Sequence, residues 1–425
     1  MHVLFLSENF PPEVNASATR VYERAVYWVK AGHEVTVVTC FPNFPQGRLY
    51  AGWRQRLYQV DDVDGIRVVR VPTYIARNEG FFRRTGDFVS FMLAATVATP
   101  WLPRADVVVA TSPQFFAAVA GWLVAAFKRR PFVFELGDLW PASIRAVGAM
   151  RESRLLDLLE KVELFLYRRA AAVVALTSAF KRDLVRRGID ARKVDVVING
   201  VDLPRYSPRP KDPELLERHD LAGCFVVGYI GTHGLAHDLC NVIAAAELLR
   251  DRPTARILFV GDGAAKPQLV SACRERGLAN VIFVDPQPKE RMPAYWSVCD
   301  VALVHLKNDP VFAEVIPSKV FEAMAMGLPI LLVAPSGEAT RIVEEEAAGL
   351  TVAAGDPLLL AAAIRRLLDD PVLRNDVAKR SAAAAPRYSR RRQAEDMLAV
   401  LERVTRTGAQ GVRRCASSSR APLET

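Results

Sequence analysis

Short runs of β-branched and aromatic residues alternate along the chain with longer stretches of helical period. That rhythm belongs to parallel sheets covered by helices on both faces. In the first half the runs predict strands at 3–7, 35–39, 107–111, 132–136, 173–177 and 194–198. They are apolar nearly throughout, as strands buried on both faces require. One segment breaks the rhythm: QVDDVDGIRVVRV at 59–71 alternates in polarity around Asp64-Gly65, the signature of a hairpin turn. Asp62 and Asp64 have the spacing of a metal-binding carboxylate pair, but beside a glycine between two strands they read as a solvated turn.

A proline-rich stretch, LPRYSPRPKDP, places Pro204, Pro208, Pro210 and Pro213 within ten residues and reads as a linker. Beyond it the alternation restarts, with strands expected at 225–230, 256–260, 281–284, 301–305, 330–333 and 350–353. The pattern therefore predicts an α/β chain of two doubly wound, Rossmann-like domains: 1–203, a linker at 204–213, and 214–387. A last amphipathic helix at 388–404, with Met397, Leu398, Leu401 and Val404 on its apolar face, is expected to pack back onto the first domain. The serine-rich tail 405–425 is expected to be disordered.

Composition narrows the class. The chain has 425 residues, 51% of them hydrophobic and 24% charged, enough for two or three domains with their own cores and too apolar for wholesale disorder. Its 56 basic against 47 acidic residues leave a net charge of +9, which suits an anionic partner. Nucleic acid is disfavoured, because the arginines are scattered and no zinc finger, basic zipper or RNA-binding aromatic signature is present. Nucleotide phosphates and anionic lipid fit better. Six cysteines stand singly with no CxxC pair, so neither a disulfide framework nor a zinc site is indicated. Residues 3–7 are too short for a signal-peptide core, and no apolar run reaches a membrane-spanning length.

The most apolar stretch, 81–102, carries Phe81, Phe82, Phe88, Phe91 and Trp101 beside Arg83 and Arg84. It reads either as an interfacial segment resting on an anionic membrane or as a helix buried under the first sheet. The aromatic anchors and adjacent basic residues favour the membrane.

Candidate chemistry lies in the second half. Glycine-bearing turns follow two of its strands: Gly231-Thr232-His233-Gly234 and Gly261-Asp262-Gly263. Further on, AEVIPSKVFEAMAMGLPILL places Ser318 to cap a helix with Lys319 in its first turn. Unpaired amides and one ammonium there would seat a diphosphate. Glu322 falls on the same helical face, where a carboxylate can accept bonds from a ribose diol, and Glu314, still in the loop, could reach a sugar hydroxyl. Without further information, Glu322 could equally complement the helix dipole and Lys319 face solvent.

The spacing Glu314-x7-Glu322 followed by AMAMGLPI resembles the signature of glycosyltransferase family 4, retaining enzymes of the GT-B fold. NFPPEVNASATR at 9–20, AGHEVTVVT at 31–39 and NGVD at 199–202 resemble that family's first loop, second strand and end of the N-terminal domain. ATSPQFF, ELGDLWPAS, YIGTHGLAHDL and IPSKVFEAMAMG are similar to the branch that assembles O-antigen, capsule and exopolysaccharide units, including N-acetylfucosamine transferases. The likeness runs to about Val404.

By this resemblance, Glu322 holds the nucleotide ribose, Glu314 contacts the transferred sugar, and Asp138 is an acceptor-side or sugar-side carboxylate, unless it caps a helix. Asp262 belongs to the nucleobase and phosphate side of the pocket with Lys266, and backbone near Pro286 reads the base. The chain departs from the pattern in two places. Asn15 stands where a glycine pair is frequent, and the Arg and Lys that often bind diphosphate are replaced by a turn carrying His233 and His237. The charge must then be met by Lys319, by amides at 231–234, or by cations from elsewhere.

The resemblance implies a retaining transfer from a UDP-sugar, an N-acetylhexosamine or deoxy relative, to a polyprenyl-diphosphate-linked acceptor. It implies no metal or other cofactor, and a place on the cytoplasmic face of the cell membrane. Two alternatives stay open: a UDP-N-acetylglucosamine epimerase on the same fold, and a non-catalytic membrane-associated assembly protein.

Overall fold

The computed structural model describes the backbone of all residues except 45, 76–80, 113, 139–153 and 419–425; the side chains of 81, 82, 84, 154, 155 and 408–418 also lie outside it. The described chain divides into two compact units, Met1–Ile198 with Gln393–Thr425, and Asn199–Arg392.

The first unit holds an eight-stranded sheet of β1 (His2–Leu6), β2 (Glu34–Cys40), β3 (Gln59–Val63), β4 (Ile66–Val71), β5 (Val107–Thr111), β6 (Phe132–Leu136), β7 (Ala172–Ala175) and β8 (Val194–Val196). Their order is β3-β4-β2-β1-β5-β6-β7-β8. All neighbours are parallel except β3 and β4, which form a hairpin with Val63 opposite Ile66. Asp64 and Gly65 turn it at φ 53° and 78°, the double positive φ of a tight hairpin turn. The aspartates serve that turn: Asp62 accepts from the Gly65 amide and Asp64 from the Tyr22 hydroxyl.

The final helix, Arg390–Ser418, starts where the Ser389 hydroxyl accepts from the Arg392 amide. It lays Ala394, Met397, Leu401 and Val404 into the first unit's core beside Val3, Phe5 and Trp28. Trp28 donates its indole N–H to the Ala394 carbonyl at 2.9 Å. The helical backbone continues past Thr405, where a disordered tail is expected, as far as Ser418.

The second unit holds a six-stranded, wholly parallel sheet of β9 (Phe225–Ile230), β10 (Ala255–Val260), β11 (Val281–Val284), β12 (Val301–His305), β13 (Ile330–Val333) and β14 (Gly349–Val352). Its order is β11-β10-β9-β12-β13-β14. The proline-rich stretch expected as a free linker belongs to this unit. Tyr206 is buried, Lys211 pairs with Asp300 at 2.8 Å, and Asp212 caps the Pro213–Arg218 helix. The division between units falls at Asn199, before the prolines.

Beneath the first sheet's carboxyl ends lies a buried charge cluster. Arg24 donates to Glu135 at 2.5 Å and lies over the Phe5 and Trp28 rings, while Arg20 approaches Glu135 at 3.6 Å and donates to the Thr111 hydroxyl. Burial alone would raise the Glu135 carboxyl, but the two guanidinium groups outweigh it and hold it at about 2. A carboxylate so depressed stabilises the fold fully above its ordinary range and loses that contribution as pH falls toward 2. Glu135→Gln should therefore destabilise the protein by about 3–5 kcal/mol at neutral pH, because it strands two buried cations. A melting curve checks this, and an unchanged midpoint would contradict it.

Candidate active site

Among the parallel strands of each sheet the order reverses at one place, between β1 and β5 in the first unit and between β9 and β12 in the second. The crevice outside the carboxyl ends at such a reversal is where open α/β sheets take ligands. In the second unit the loops leaving β9 and β12 flank that point, and they are tied to each other by a bond from the Lys307 amide to the Ala236 carbonyl.

Gly231 leaves β9 at φ 136° and Gly261 leaves β10 at φ 140°. A Cβ on Gly261 would stand 2.1 Å from the Gly231 carbonyl oxygen, so these two strand exits are pressed together as only glycine permits. The Gly231 amide donates to Val260 and the His233 amide to Asp262. Two of the amides expected to meet phosphate are therefore already engaged, which leaves Thr232 and Gly234 in that turn.

Lys319 opens the helix Lys319–Met326. Its side chain is only 9% exposed, and its Nζ has no hydrogen-bond partner among the described residues. The amine sits 3.8 Å from the centroid of the Tyr229 ring. It is also 3.1 Å from where a Cβ on Gly231 would be. Burial lowers its pKa from 10.5 to about 7, with Glu322 opposing the shift in part. The sequence leaves open whether this lysine faces solvent; the fold buries it beside the glycine turn.

Glu322 is one helical turn on, and one of its carboxylate oxygens accepts the Trp296 indole N–H at 3.2 Å. Ser318 occupies the cap position as expected by spacing, but in helical backbone conformation and without a capping hydrogen bond from its side chain. The amides of Phe321 and Glu322 instead bond back to the Ser318 carbonyl. Glu314 ends the turn Pro310–Glu314, half-buried in the loop that leads into this helix.

The histidines divide. His233, expected at the donor, is fully buried against Tyr229, Phe259 and Phe283. It supports the turn from beneath and presents no surface to a ligand. His237 is half-buried: its Nδ1 bonds the His305 carbonyl, and the His305 Nδ1 bonds the His237 carbonyl at 2.7 Å. This reciprocal pair clamps the β9 loop to the end of β12. Burial lowers all three imidazoles to about 4, so they are neutral at physiological pH.

On the far side of the turn, Asp262 is exposed and accepts from the Gly263 amide. Lys266 is committed to the Gly261 carbonyl and to Asp285 at 2.7 Å, so it is not a spare phosphate cation. Pro286 is exposed just beyond β11. Among the described residues no group of His, Cys, Asp and Glu could hold a metal ion.

In the first unit, Asn15 caps the helix Ala16–Lys30, its Oδ1 accepting from the Ala18 amide at 2.8 Å. The cap uses only the side-chain oxygen; the amide nitrogen, the donor a phosphate would need, takes no part in it. Asp138 lies half-buried just past β6, where the Ser112 hydroxyl accepts from the Gly137 amide at 2.8 Å. The WPAS segment after it falls outside the described residues.

The helix Phe81–Val97 packs one face inward, and Phe91, expected as a membrane anchor, is fully buried in that face; Phe88 is half-buried. Arg83 and Trp101 are exposed, and the side chains of Phe81, Phe82 and Arg84 lie outside the described residues. Leu93, Val97 and Trp101, spaced by four, are 57%, 68% and 67% exposed. Tyr58 and Lys128 donate to the carbonyls of Trp101 and Leu102, which brings exposed Leu57 and Phe127 to the same region. The four-residue spacing was the available sequence signal for this outer face.

Two family models match the chain in tandem. Residues 15–200 match the glycosyl transferase 4-like domain, and residues 220–384 match glycosyl transferases group 1. WcaI of Escherichia coli (strain K12), assigned to colanic acid biosynthesis as a glycosyl transferase, is 26% identical over 340 residues, 77% of this chain and 82% of the relative. The GDP-mannose-dependent alpha-mannosyltransferase of Mycobacterium tuberculosis (strain CDC 1551 / Oshkosh) is 26% identical over 358 residues, 84% and 85% of the two chains. Among solved structures, Anabaena Alr3699/HepE in complex with UDP has a TM-score of 0.70 at 20% identity, covering 95% of this chain and 100% of that one. The fold is GT-B.

A buried amine without an acceptor costs stability, so Lys319 should titrate near pH 7 and its removal should strengthen the fold. Carbon-13 NMR at the Lys319 Cε is expected to show that midpoint, and Lys319→Met to melt a few degrees higher than the parent. A midpoint above 10 would mean that the amine is solvated.

Proposed function

Because the chain belongs to the glycosyl transferases group 1, with a glycosyl transferase 4-like domain at its N-terminal side, we propose that it moves a sugar from a UDP-sugar to a lipid-linked saccharide in bacterial surface polysaccharide assembly, with retention of configuration. The observation that carries this reading is the buried, unpartnered Lys319 amine at the start of the helix that bears Glu322. Such an amine lacks a counter-anion, and a diphosphate supplies one. WcaI supports the polysaccharide context. For the nucleotide, HepE was crystallised with UDP while the mycobacterial relative is GDP-mannose-dependent; we take UDP, with an N-acetylhexosamine or a deoxy relative as the sugar.

The chemistry follows from charge. As the bond between sugar C1 and the β-phosphate oxygen breaks, negative charge grows on the departing diphosphate. Lys319, with the amides of Ser318 and Lys319 at the helix start, stabilises that charge more in the transition state than in the ground state. The acceptor hydroxyl attacks C1 from the same face and gives its proton to the leaving phosphate oxygen, so configuration is retained and no enzyme nucleophile forms a bond. Glu322, oriented by Trp296, holds the ribose diol. Glu314 takes a sugar hydroxyl, and Asp138 serves the acceptor.

Lys319→Ala should lower kcat by about 10²–10³-fold, the usual loss when one charge-stabilising donor is removed. Glu322→Gln should raise the donor KM and lower kcat together. UDP affinity should fall as pH rises above about 7, approaching tenfold per unit, because binding must then protonate Lys319. His233, His237 and His305 stay neutral across that range and do not contribute. Isothermal titration with UDP and GDP from pH 7 to 9 measures both base preference and slope. A pH-independent UDP affinity would remove Lys319 from the site, and product that is only an altered donor sugar would identify an epimerase.

We assign the outer face of Leu93, Val97 and Trp101, with exposed Arg83 in the first turn of the same helix, to an anionic membrane on the cytoplasmic side. No helix among the described residues is long and apolar enough to cross one. Replacing the three apolar residues by serine should abolish co-sedimentation with vesicles rich in anionic lipid, as should charge reversal at Arg83 and Arg84. Undiminished co-sedimentation would contradict the assignment.

A further inference from the structure

Tyr229 is the last residue but one of β9, fully buried, with its hydroxyl donating to the Thr232 carbonyl at 2.8 Å. That bond fixes the ring plane and the glycine turn with it. The face of the ring carries the Lys319 amine at 3.8 Å from the centroid, well inside the range of a cation–π contact, which is strongest where water is excluded. Its other neighbours are neutral rings: His233 at 5.9 Å, His237 at 6.0 Å and Phe259 at 5.8 Å between centroids.

The charged and titratable groups that act on Lys319 are few. Glu322 on its own helix favours the ammonium, but one of its oxygens is bonded to Trp296. His233 and His237 on the β9 loop and His305 on β12 are uncharged neighbours. Among the described residues no hydrogen-bond acceptor holds the amine in place. What fixes its position is the ring face on one side and the missing Cβ of Gly231 on the other.

We propose that Tyr229 is the positioning residue for the diphosphate-binding cation: its ring face holds the Lys319 amine aimed past Gly231 at the phosphates and favours its ammonium form as the diphosphate binds, in place of a second basic side chain. The proposal rests on the reading of Lys319 as the diphosphate cation. The ring does what a carboxylate partner could not, because it stabilises positive charge without neutralising it. The ammonium therefore keeps its hydrogen-bond donors for the ligand.

The test replaces residue 229 in the full chain by phenylalanine and then by 4-fluoro-, 3,5-difluoro- and 3,4,5-trifluorophenylalanine. These keep the ring's shape while removing its negative face step by step. UDP affinity at pH 8 should fall with each fluorine, about 10- to 30-fold from phenylalanine to the trifluoro ring, with melting temperatures in line. In a Lys319→Met background, UDP binding should be weak and the series flat. A flat series in the presence of Lys319, with Lys319→Met still weak, overturns the role of Tyr229 and spares the lysine. If Lys319→Met binds UDP as tightly as the parent, the diphosphate reading itself fails, and this proposal with it.

Discussion

One amine buried without an acceptor sets the terms for the second unit. Lys319 could have been a solvated first-turn lysine. Instead the packing of its helix against β12 and β13 and the absence of a Cβ at Gly231 put its Nζ on the buried face of the Tyr229 ring. Removing water from an ammonium is costly, and nothing local repays the whole of that cost. The proposed function rests on that deficit, which a diphosphate would relieve. The glycine turn, the helix start and the Trp296-oriented Glu322 are ordered around the same deficit.

The first unit shows the opposite solution. Two arginines share the Glu135 carboxylate beneath the ends of β1, β5 and β6, and Arg24 also lies over the rings of Phe5 and Trp28. That cluster braces the floor below Ser112 and Gly137, next to Asp138. There the buried charges are bonded to one another through a shared carboxylate, whereas the proposed function gives the unpartnered amine of the second unit an anion to bind. The exposed face at Leu93, Val97 and Trp101 belongs to the first unit.

Most of the fold was legible in the chain. Strands such as Val107–Thr111, Phe132–Leu136 and Val301–His305 match their apolar runs residue for residue, because a strand buried on both faces leaves an unbroken hydrophobic signal. The hairpin was legible from Asp64-Gly65. Local signals failed where tertiary contacts decide. The final helix outran its apolar stripe, and the prolines at 204–213 proved to be docked on the second unit.

At the site, the helix bearing Lys319 and Glu322 was readable from spacing. Tyr229 and Trp296 were not, because each meets its partner across 90 and 26 residues of chain and resembles any core aromatic in sequence. His233 misled for the converse reason. A histidine in a glycine-rich turn looks ligand-facing, and only the three-dimensional packing turns its ring into the core.

The central claim is that a diphosphate supplies the counter-charge that Lys319 lacks. A crystal structure of the protein with UDP tests it most directly. The account predicts a β-phosphate oxygen within about 3 Å of the Lys319 Nζ, the amine still over the Tyr229 ring, and the ribose hydroxyls on Glu322. A diphosphate seated elsewhere, with Nζ still unpartnered, would contradict it.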